Sequence, residues 1–482
     1  MPRLNVLFVA SECVPFAKTG GLADVVGALP RALAERGHDV RVVLPRYRMT
    51  RAIPATRLPA PLSVELGRRT HWGAVWEAEL GRGSARAYLL EHDALFDRDG
   101  VYGDSFGEFG DNLARYAFLC RGALAFCRSA GFIPDVVHAH DWPACLAPVY
   151  LDTLDARTPL GRAASVLTIH NLGYQGWFDK GDLPATGLGW DSFHRRSLET
   201  YDRINLLKAG IYHSTLISTV SPSYAREIQS PQGGEGLEGA LGDRAGDILG
   251  ILNGIDDEVW DPARDPLLPA NYTSHDLSGK AVCKATLQQD LDLPVRAEVP
   301  LIGVISRLAH QKGIDVLARS IAPILNLGAQ LVVLGSGERW AEELFTRLSN
   351  TTENFRAFIG MSEKLAHRIE AGADLFLMPS RYEPCGLNQM YSQRYGTLPI
   401  VRAIGGLDDT VESDVTGFKF NPLSVEALVQ AATWATTIYR ERREHFRAMQ
   451  QHAMAKRMGW SYAARQYEAL YRMAVARRRG RG

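Results

Sequence analysis

The sequence predicts an α/β protein of two doubly wound, parallel-sheet domains, and three observations lead there. The chain has 482 residues, its opening spells strand, glycine loop, helix and strand, and the same plan restarts near residue 300. A chain of this length exceeds what one hydrophobic core usually serves, so two domains follow.

The first βαβ unit reads as a strand over 4–10, the loop Lys18-Thr19-Gly20-Gly21, a helix over 22–36 and a strand over 39–44. Further strand-like runs at 87–90, 136–139, 166–169 and 216–220 alternate with helical patterns such as 112–127, which gives a parallel sheet. Around Asn253-Gly254-Ile255-Asp256 the texture turns to Asp-, Pro- and Asn-rich loops through Tyr272, and βα alternation resumes at Pro300. The boundary falls there, giving domains over 1–255 and 256–459. In the second, a strand over 301–306, a loop to Gly313, a helix over 314–325 and a strand over 330–334 ending in Gly335-Ser336-Gly337 repeat the plan. Runs at 357–359, 375–378 and 399–401 complete its sheet, and helical segments over 425–455 and 461–475 close the chain with a break at Gly459.

Composition narrows the function. With 46% apolar and 22% charged residues this is an ordinary globular protein. Lysine plus arginine equal aspartate plus glutamate at 54 each, which argues against a nucleic-acid-coating or membrane-surface protein and leaves charge to act locally. The basic run 477–481 reads as a solvated, frayed terminus. Cysteines at 13, 120, 127, 145, 283 and 385 form no CxxC pair and no zinc-like spacing, so a reducing cytoplasm fits. The apolar opening is too short for a signal peptide and reads as a buried strand. No apolar stretch approaches the ~20 residues of a spanning helix.

In open α/β sheets, ligands sit off the carboxyl ends of the strands, where helix N-termini present unpaired N–H groups. Lys18, Gly20 and Gly21 stand at such a place, as an anion loop or a plain tight turn; the loop is neither a Walker loop nor GxGxxG. Arg307 and Lys312 bracket the corresponding loop of the second domain, where a guanidinium fork and an ammonium make a metal-free diphosphate site, against the alternative of two solvated cations. In Glu383-Pro384-Cys385-Gly386-Leu387 the carboxylate can accept two sugar hydroxyls, and the N–H groups of Cys385, Gly386 and Leu387 can face phosphate. Cys385 reads as a packed small residue, because no histidine lies close in sequence. Gly405-Gly406 repeats the glycine turn. His138-Ala139-His140-Asp141-Trp142 and Thr168-Ile169-His170-Asn171 each end a strand; the two histidines invite zinc, but no third ligand is evident. Asp97-Arg98-Asp99, the pattern of a metal-dependent transferase, reads as a solvated turn.

Taken together, Lys18-Thr19-Gly20-Gly21-Leu22-Ala23-Asp24-Val25, His138 to Trp142, Asn253 to Asp256 with Trp260, the 307–313 loop, Glu383 to Leu387 and Gly405-Gly406-Leu407 resemble the motifs of bacterial glycogen synthases and plant starch synthases, from residue 3 to about 475. The resemblance implies a GT-B fold with a cleft between its two domains. It also implies metal-free, cofactor-free, retaining transfer of glucose from ADP-glucose to the non-reducing end of an α-1,4-glucan. By position it implies Lys18, Gly20, Gly21 and Asn253 at the donor, Arg307 and Lys312 at its diphosphate, Glu383 at the glucosyl hydroxyls, and Asp141 and His170 at the reacting sugar. Cys385, Gly386, Leu387, Gly405 and Gly406 line the donor in the same way, Tyr102 and Trp142 lie on the acceptor side, and the segment 460–482 crosses back onto the first domain.

Three positions depart from the pattern. Met361 stands where relatives can carry an aromatic residue beside the adenine, Pro143 follows Trp142 where some carry a polar residue, and Tyr391 occupies the place of the second glutamate of related retaining transferases. The last favours the glycogen and starch synthase branch. No residue is a compelling nucleophile, so Asp141 reads as an electrostatic or positioning group. The competing readings are a GT-B transferase using another nucleotide sugar such as UDP-glucose, a glucan phosphorylase, which lacks a lysine in a pyridoxal phosphate context here, and a catalytically silent glucan-binding protein.

Overall fold

The strand Asn5–Val9 lies inside the first sheet, and four of its five residues are wholly buried, as a strand covered on both faces requires. Asp39–Pro45 and Arg86–Glu91 follow on one side of it. Val136–His140, Ala164–Ile169, Leu216–Thr219 and Ile248–Gly250 follow on the other, and all seven strands are parallel. Strand addition therefore reverses direction between Asn5–Val9 and Val136–His140, a switch point whose carboxyl end is the expected ligand position. The helix Gly21–Glu35 buries Leu22, Val25, Val26, Leu29 and Leu33, one stripe at helical spacing, against these strands.

The computed structural model describes residues 2–81, 83 and 85–480. They divide into two compact units, one joining the chain up to Gly254 to the segment from Trp460 onward, the other Ile255–Gly459.

The first sheet is not purely parallel, which corrects the sequence expectation. Arg69–Glu79 runs antiparallel to Arg86–Glu91, and Thr56–Arg57 and Leu62–Leu66 pair with it in turn. Leu62, Val64 and Leu66 face inward while Ser63 and Glu65 face water, the alternation of a sheet wet on one side.

The terminal helix Trp460–Arg479 belongs to the first unit, with Ala463, Ala464, Tyr467, Tyr471 and Ala474 in its core. Arg36 donates to Glu468 at 2.8 Å, and the Tyr471 hydroxyl lies 2.8 Å from His138 Nδ1. The frayed-tail expectation is overturned here: the helix continues to Arg479, Arg477 pairs with Asp247, and Arg478 pairs with Asp152 and donates to the Gly161 carbonyl, each at 2.7 Å. Those carboxylate and carbonyl partners come from distant segments, so the local charge run carried no sign of them. Arg481 lies outside the described residues.

The second unit is a six-stranded parallel sheet in the order Phe355–Ile359, Gln330–Gly335, Leu301–Ile305, Leu375–Met378, Leu398–Arg402, Phe418–Phe420. Successive residues of Gln330–Gly335 alternate between its two cores: Leu331 and Val333 pack under Ile314–Asn326 and Val425–Glu441, Val332 and Leu334 under Glu363–Gly372. Its switch point lies between Leu301–Ile305 and Leu375–Met378, and the loops after those two strands carry the cations and the carboxylate singled out above. Among the described residues no helix is long and apolar enough to cross a membrane.

Candidate active site

In the first unit the glycine loop is organised by a carboxylate that the sequence reading passed over. Glu12, buried just beyond the first strand, accepts from the backbone N–H groups of Thr19 and Gly20, from Thr19 Oγ1 at 2.8 Å and from the Tyr102 hydroxyl at 2.6 Å. The same Tyr102 hydroxyl lies 2.8 Å from Ser11 Oγ. Its only sequence signal was an acid seven residues ahead of the threonine. Lys18 is exposed and pairs with Asp24 at 2.7 Å. Gly20 has an extended backbone, and a Cβ there would meet no protein atom, so the fold does not demand glycine and the space above the loop is open.

Asp141 follows Val136–His140 at the switch point and holds a left-handed backbone, φ +54°, unusual outside glycine though less so for aspartate. Its carboxylate accepts from the His170 backbone N–H at 2.7 Å. Burial pushes the Asp141 carboxyl up to about 7, against the opposing pull of the N–H groups of His170 and Asn171. Burial also lowers the His170 imidazole to about 3, and His138 and His140 well below their usual value, so all three rings are neutral at pH 7. His138 is fully engaged in the core, between Tyr471 and Thr168 Oγ1 at 2.6 Å, and His140 Nδ1 lies 3.0 Å from His170 Nε2. Among the described residues no group of three or more His, Cys, Asp or Glu is placed to hold a metal ion.

Trp142, expected on the acceptor side, is buried: it meets Tyr116 edge-on at 4.9 Å and supports Tyr102 at 6.0 Å. The ring fills the space beside Gly176, where a Cβ would come within 2.6 Å of it. Phe106, by contrast, is 97% accessible, on the hairpin formed by Gly103–Asp104 and Gly107–Glu108. It borders a surface pocket of about 500 Å³ shared with Arg48, Arg98 and Phe109. Asp97 and Asp99 both pair with Arg48, at 3.1 and 3.0 Å, so the DxD is an ion-paired turn. Asn253 is buried, and its Oδ1 has no partner among the described residues.

In the second unit three loops interlock. Lys312 Nζ donates to Glu383 Oε2 at 2.6 Å and Ser380 Oγ to the same oxygen at 2.9 Å, which leaves Oε1 as the acceptor open to a ligand. Arg307, exposed on the same loop, donates to Gln311 at 3.1 Å. The two cations thus differ: Arg307 faces solvent, whereas Lys312 is already joined to the carboxylate and keeps its other two N–H donors for a second partner. Gly313 has φ +68°, and a Cβ there would strike the Pro379 carbonyl, so this glycine is required by the fold. The Arg381 N–H donates to the Gln311 carbonyl at 2.8 Å, tying the 307–313 loop to the Glu383 turn.

Gly406 donates to the Glu383 carbonyl at 3.0 Å and approaches Cys385 so closely that no side chain fits. Gly405 and Gly386 hold left-handed backbones, and Gln389 caps the turn by donating to the Cys385 and Gly386 carbonyls at 3.0 and 2.9 Å. Leu387 precedes the helix Asn388–Arg394, and Cys385 is buried and forms no disulfide. Tyr391 stacks on Trp260 at 3.8 Å, and the other face of Trp260 stacks on His367 at 3.9 Å, whose Nδ1 lies 2.7 Å from Asp265. Met361 is 86% exposed after the strand Phe355–Ile359.

The two glycines make a stability contrast. Gly313→Ala is expected to cost at least about 1–2 kcal/mol through left-handed strain and the Pro379 clash, and Gly20→Ala less than about 0.5 kcal/mol, as read by urea unfolding.

Residues 5–243 match the starch synthase catalytic domain family and residues 289–452 the glycosyl transferases group 1 family. The chain is 48% identical to glycogen synthase 1 of Geobacter sulfurreducens, over 100% of this chain and 98% of that protein, and 50% identical to the glycogen synthase of an Anaeromyxobacter species, over 98% and 100%. The catalytic domain of starch synthase IV from Arabidopsis thaliana, bound to ADP and acarbose, superposes with a TM-score of 0.91 at 32% identity, covering 98% of this chain and 100% of that one. The fold and its two switch-point sites are those of a GT-B glycosyltransferase. Within that class, the chain belongs to the glycogen synthase and starch synthase family.

Proposed function

We propose that the protein elongates an α-1,4-glucan, transferring glucose from ADP-glucose to the non-reducing end with retention of configuration and releasing ADP. The observation that carries this reading is the Lys312–Glu383 pair at 2.6 Å, with Arg307 on the same loop: one carboxylate for sugar hydroxyls and two cations for a diphosphate, held by neighbouring switch-point loops. Transfer develops positive charge at the anomeric carbon and negative charge on the departing diphosphate. Arg307 and Lys312 stabilise the leaving group, Glu383 Oε1 takes a glucosyl hydroxyl, and the backbone from Cys385 to Leu387 and at Gly405 faces the phosphates, while the Gly406 N–H holds the Glu383 carbonyl in place. Asp141 answers the positive charge, and His170 orients the sugar. Lys18 and the open surface over Gly20 and Gly21 add a donor contact, Asn253 supplies its unpaired oxygen, Met361 covers the adenine, and Tyr391 serves as a stacked wall. Six cysteines, all buried and none in a disulfide, suit a reducing cytoplasm.

ADP release measured with ADP-glucose or UDP-glucose, with and without glycogen, tests the proposal. Release is expected only with ADP-glucose and glycogen together; equal turnover of UDP-glucose, or release without glucan, contradicts it. A ring as exposed as Phe106 suits the apolar face of a glucan, so Phe106→Ala is expected to raise KM for glycogen about fivefold while KM for ADP-glucose stays put. That corresponds to about 1 kcal/mol of partial ring burial.

A further inference from the structure

The buried His140 precedes Asp141 in the chain, and its side chain reaches the site through one hydrogen bond, from Nδ1 to His170 Nε2 at 3.0 Å. Phe8 stacks on it at 5.1 Å and 18°, and His138 lies against it at 4.0 Å. His138 has both of its own nitrogens committed, to Tyr471 and Thr168, and serves neither neighbour. The remaining His140 nitrogen, Nε2, is buried without a hydrogen-bond partner among the described residues.

Because burial keeps both imidazoles neutral, a single proton lies between them, and two arrangements exist. If His170 donated from Nε2, His140 would carry its own proton on Nε2, a buried N–H with nothing to receive it, at the cost of its full desolvation. If His140 donates from Nδ1, its orphaned Nε2 is only a lone pair, and the unpaired N–H falls instead on His170 Nδ1, which is not among the fully buried atoms. His170 then accepts at Nε2 and holds its proton on Nδ1, the ring nitrogen with no partner among the described residues.

We propose that His140 is a positioning residue that fixes His170 as the tautomer protonated on Nδ1, so that His170 offers a neutral N–H donor to an oxygen of the substrate. The second half of this statement rests on the reading that His170 faces the reacting sugar; the tautomer assignment does not. With its backbone N–H on Asp141 and its ring on His140, His170 is held at two points, and its donor is oriented before substrate arrives. The logic is that of other catalytic imidazoles, whose proton position is set by the group bonded to the opposite nitrogen.

Nitrogen NMR of the histidine-labelled full chain reads the tautomer directly, with the His170 signals assigned by their loss in His170→Asn. Nδ1 of His170 is expected to show a protonated, pyrrole-type shift with a one-bond proton coupling and Nε2 a pyridine-type shift; the reverse assignment overturns the proposal. The kinetic arm compares two amides. His140→Asn places its N–H near the position of Nδ1 and is expected to keep kcat within about threefold. His140→Gln places it near Nε2 and is expected to lose about 10- to 100-fold in kcat with little change in KM for the donor. Equal loss in both variants reduces His140 to a packing residue and overturns its positioning role. The expected tautomer with equal, near-native rates in both variants leaves the assignment standing and removes His170 from the substrate. The wild-type spectrum decides the tautomer even if neither variant folds.

Discussion

Replacing Lys312 by alanine is expected to lower kcat by about 10² to 10³ with a smaller change in KM for the donor, the usual result of removing one preorganised charge from a leaving group. The geometry adds a second consequence. Lys312 is hydrogen-bonded to Glu383 at 2.6 Å, so its loss also releases a buried carboxylate whose remaining partner is Ser380. Lys312→Ala should therefore impair two functions together, diphosphate stabilisation and the orientation of Glu383 toward the sugar. A double-mutant cycle with Glu383→Gln separates them: coupling well above zero is expected, because the residues in direct contact act as a unit. Single-turnover ADP release with saturating glycogen is the measurement, and a kcat within threefold of wild type in Lys312→Ala would sink the leaving-group role. Arg307, exposed and bonded among the described residues to Gln311, should on replacement by alanine act without that coupling to Glu383.

These expectations also mark where sequence reading stops. The parallel strands were legible because most are short, continuously apolar runs, buried on both faces, and several, such as Asn5–Val9, Leu301–Ile305 and Leu398–Arg402, are followed by a glycine-bearing loop and a helix. The antiparallel extension over 56–79 was not: Leu62–Leu66 alternates apolar and polar residues with one wet face, and Arg69–Glu79 opens on exposed polar residues around a short apolar run at 74–76. Charge spacing could single out Arg307, Lys312 and Glu383 one by one. It could not show that Lys312 and Glu383 bond across a sequence separation of 71, since only the adjacency of two strands in the second sheet brings their loops together. Glu12 was invisible for the same reason, and His140 showed only as one of two histidines at a strand end. Each acts through a hydrogen bond to a loop or ring that another strand delivers.

The Asp141 carboxyl gives the second large effect, and its sign follows from its raised pKa of about 7. The ionised form is the one that answers positive charge at the anomeric carbon, so kcat/KM is expected to fall about tenfold per pH unit below pH 7 and to level above it. Asp141→Asn should flatten that acid limb and leave a pH-independent rate about 10² to 10³ below the wild-type plateau, because a carboxylate about 4 Å from a developing charge contributes several kcal/mol even at moderate dielectric. Stability runs the other way. A carboxyl whose pKa rises on folding contributes nothing unfavourable below about pH 4, where it is protonated in both states, and destabilises the fold progressively as pH climbs to 7. Asp141→Asn should therefore melt with wild type near pH 4 and above it at pH 8, while being the slower enzyme at pH 8. An acid limb that survives unchanged in Asp141→Asn would assign it to another group, and a variant less stable than wild type at pH 8 would show that the hydrogen bond from the His170 N–H outweighs the cost of burying the charge.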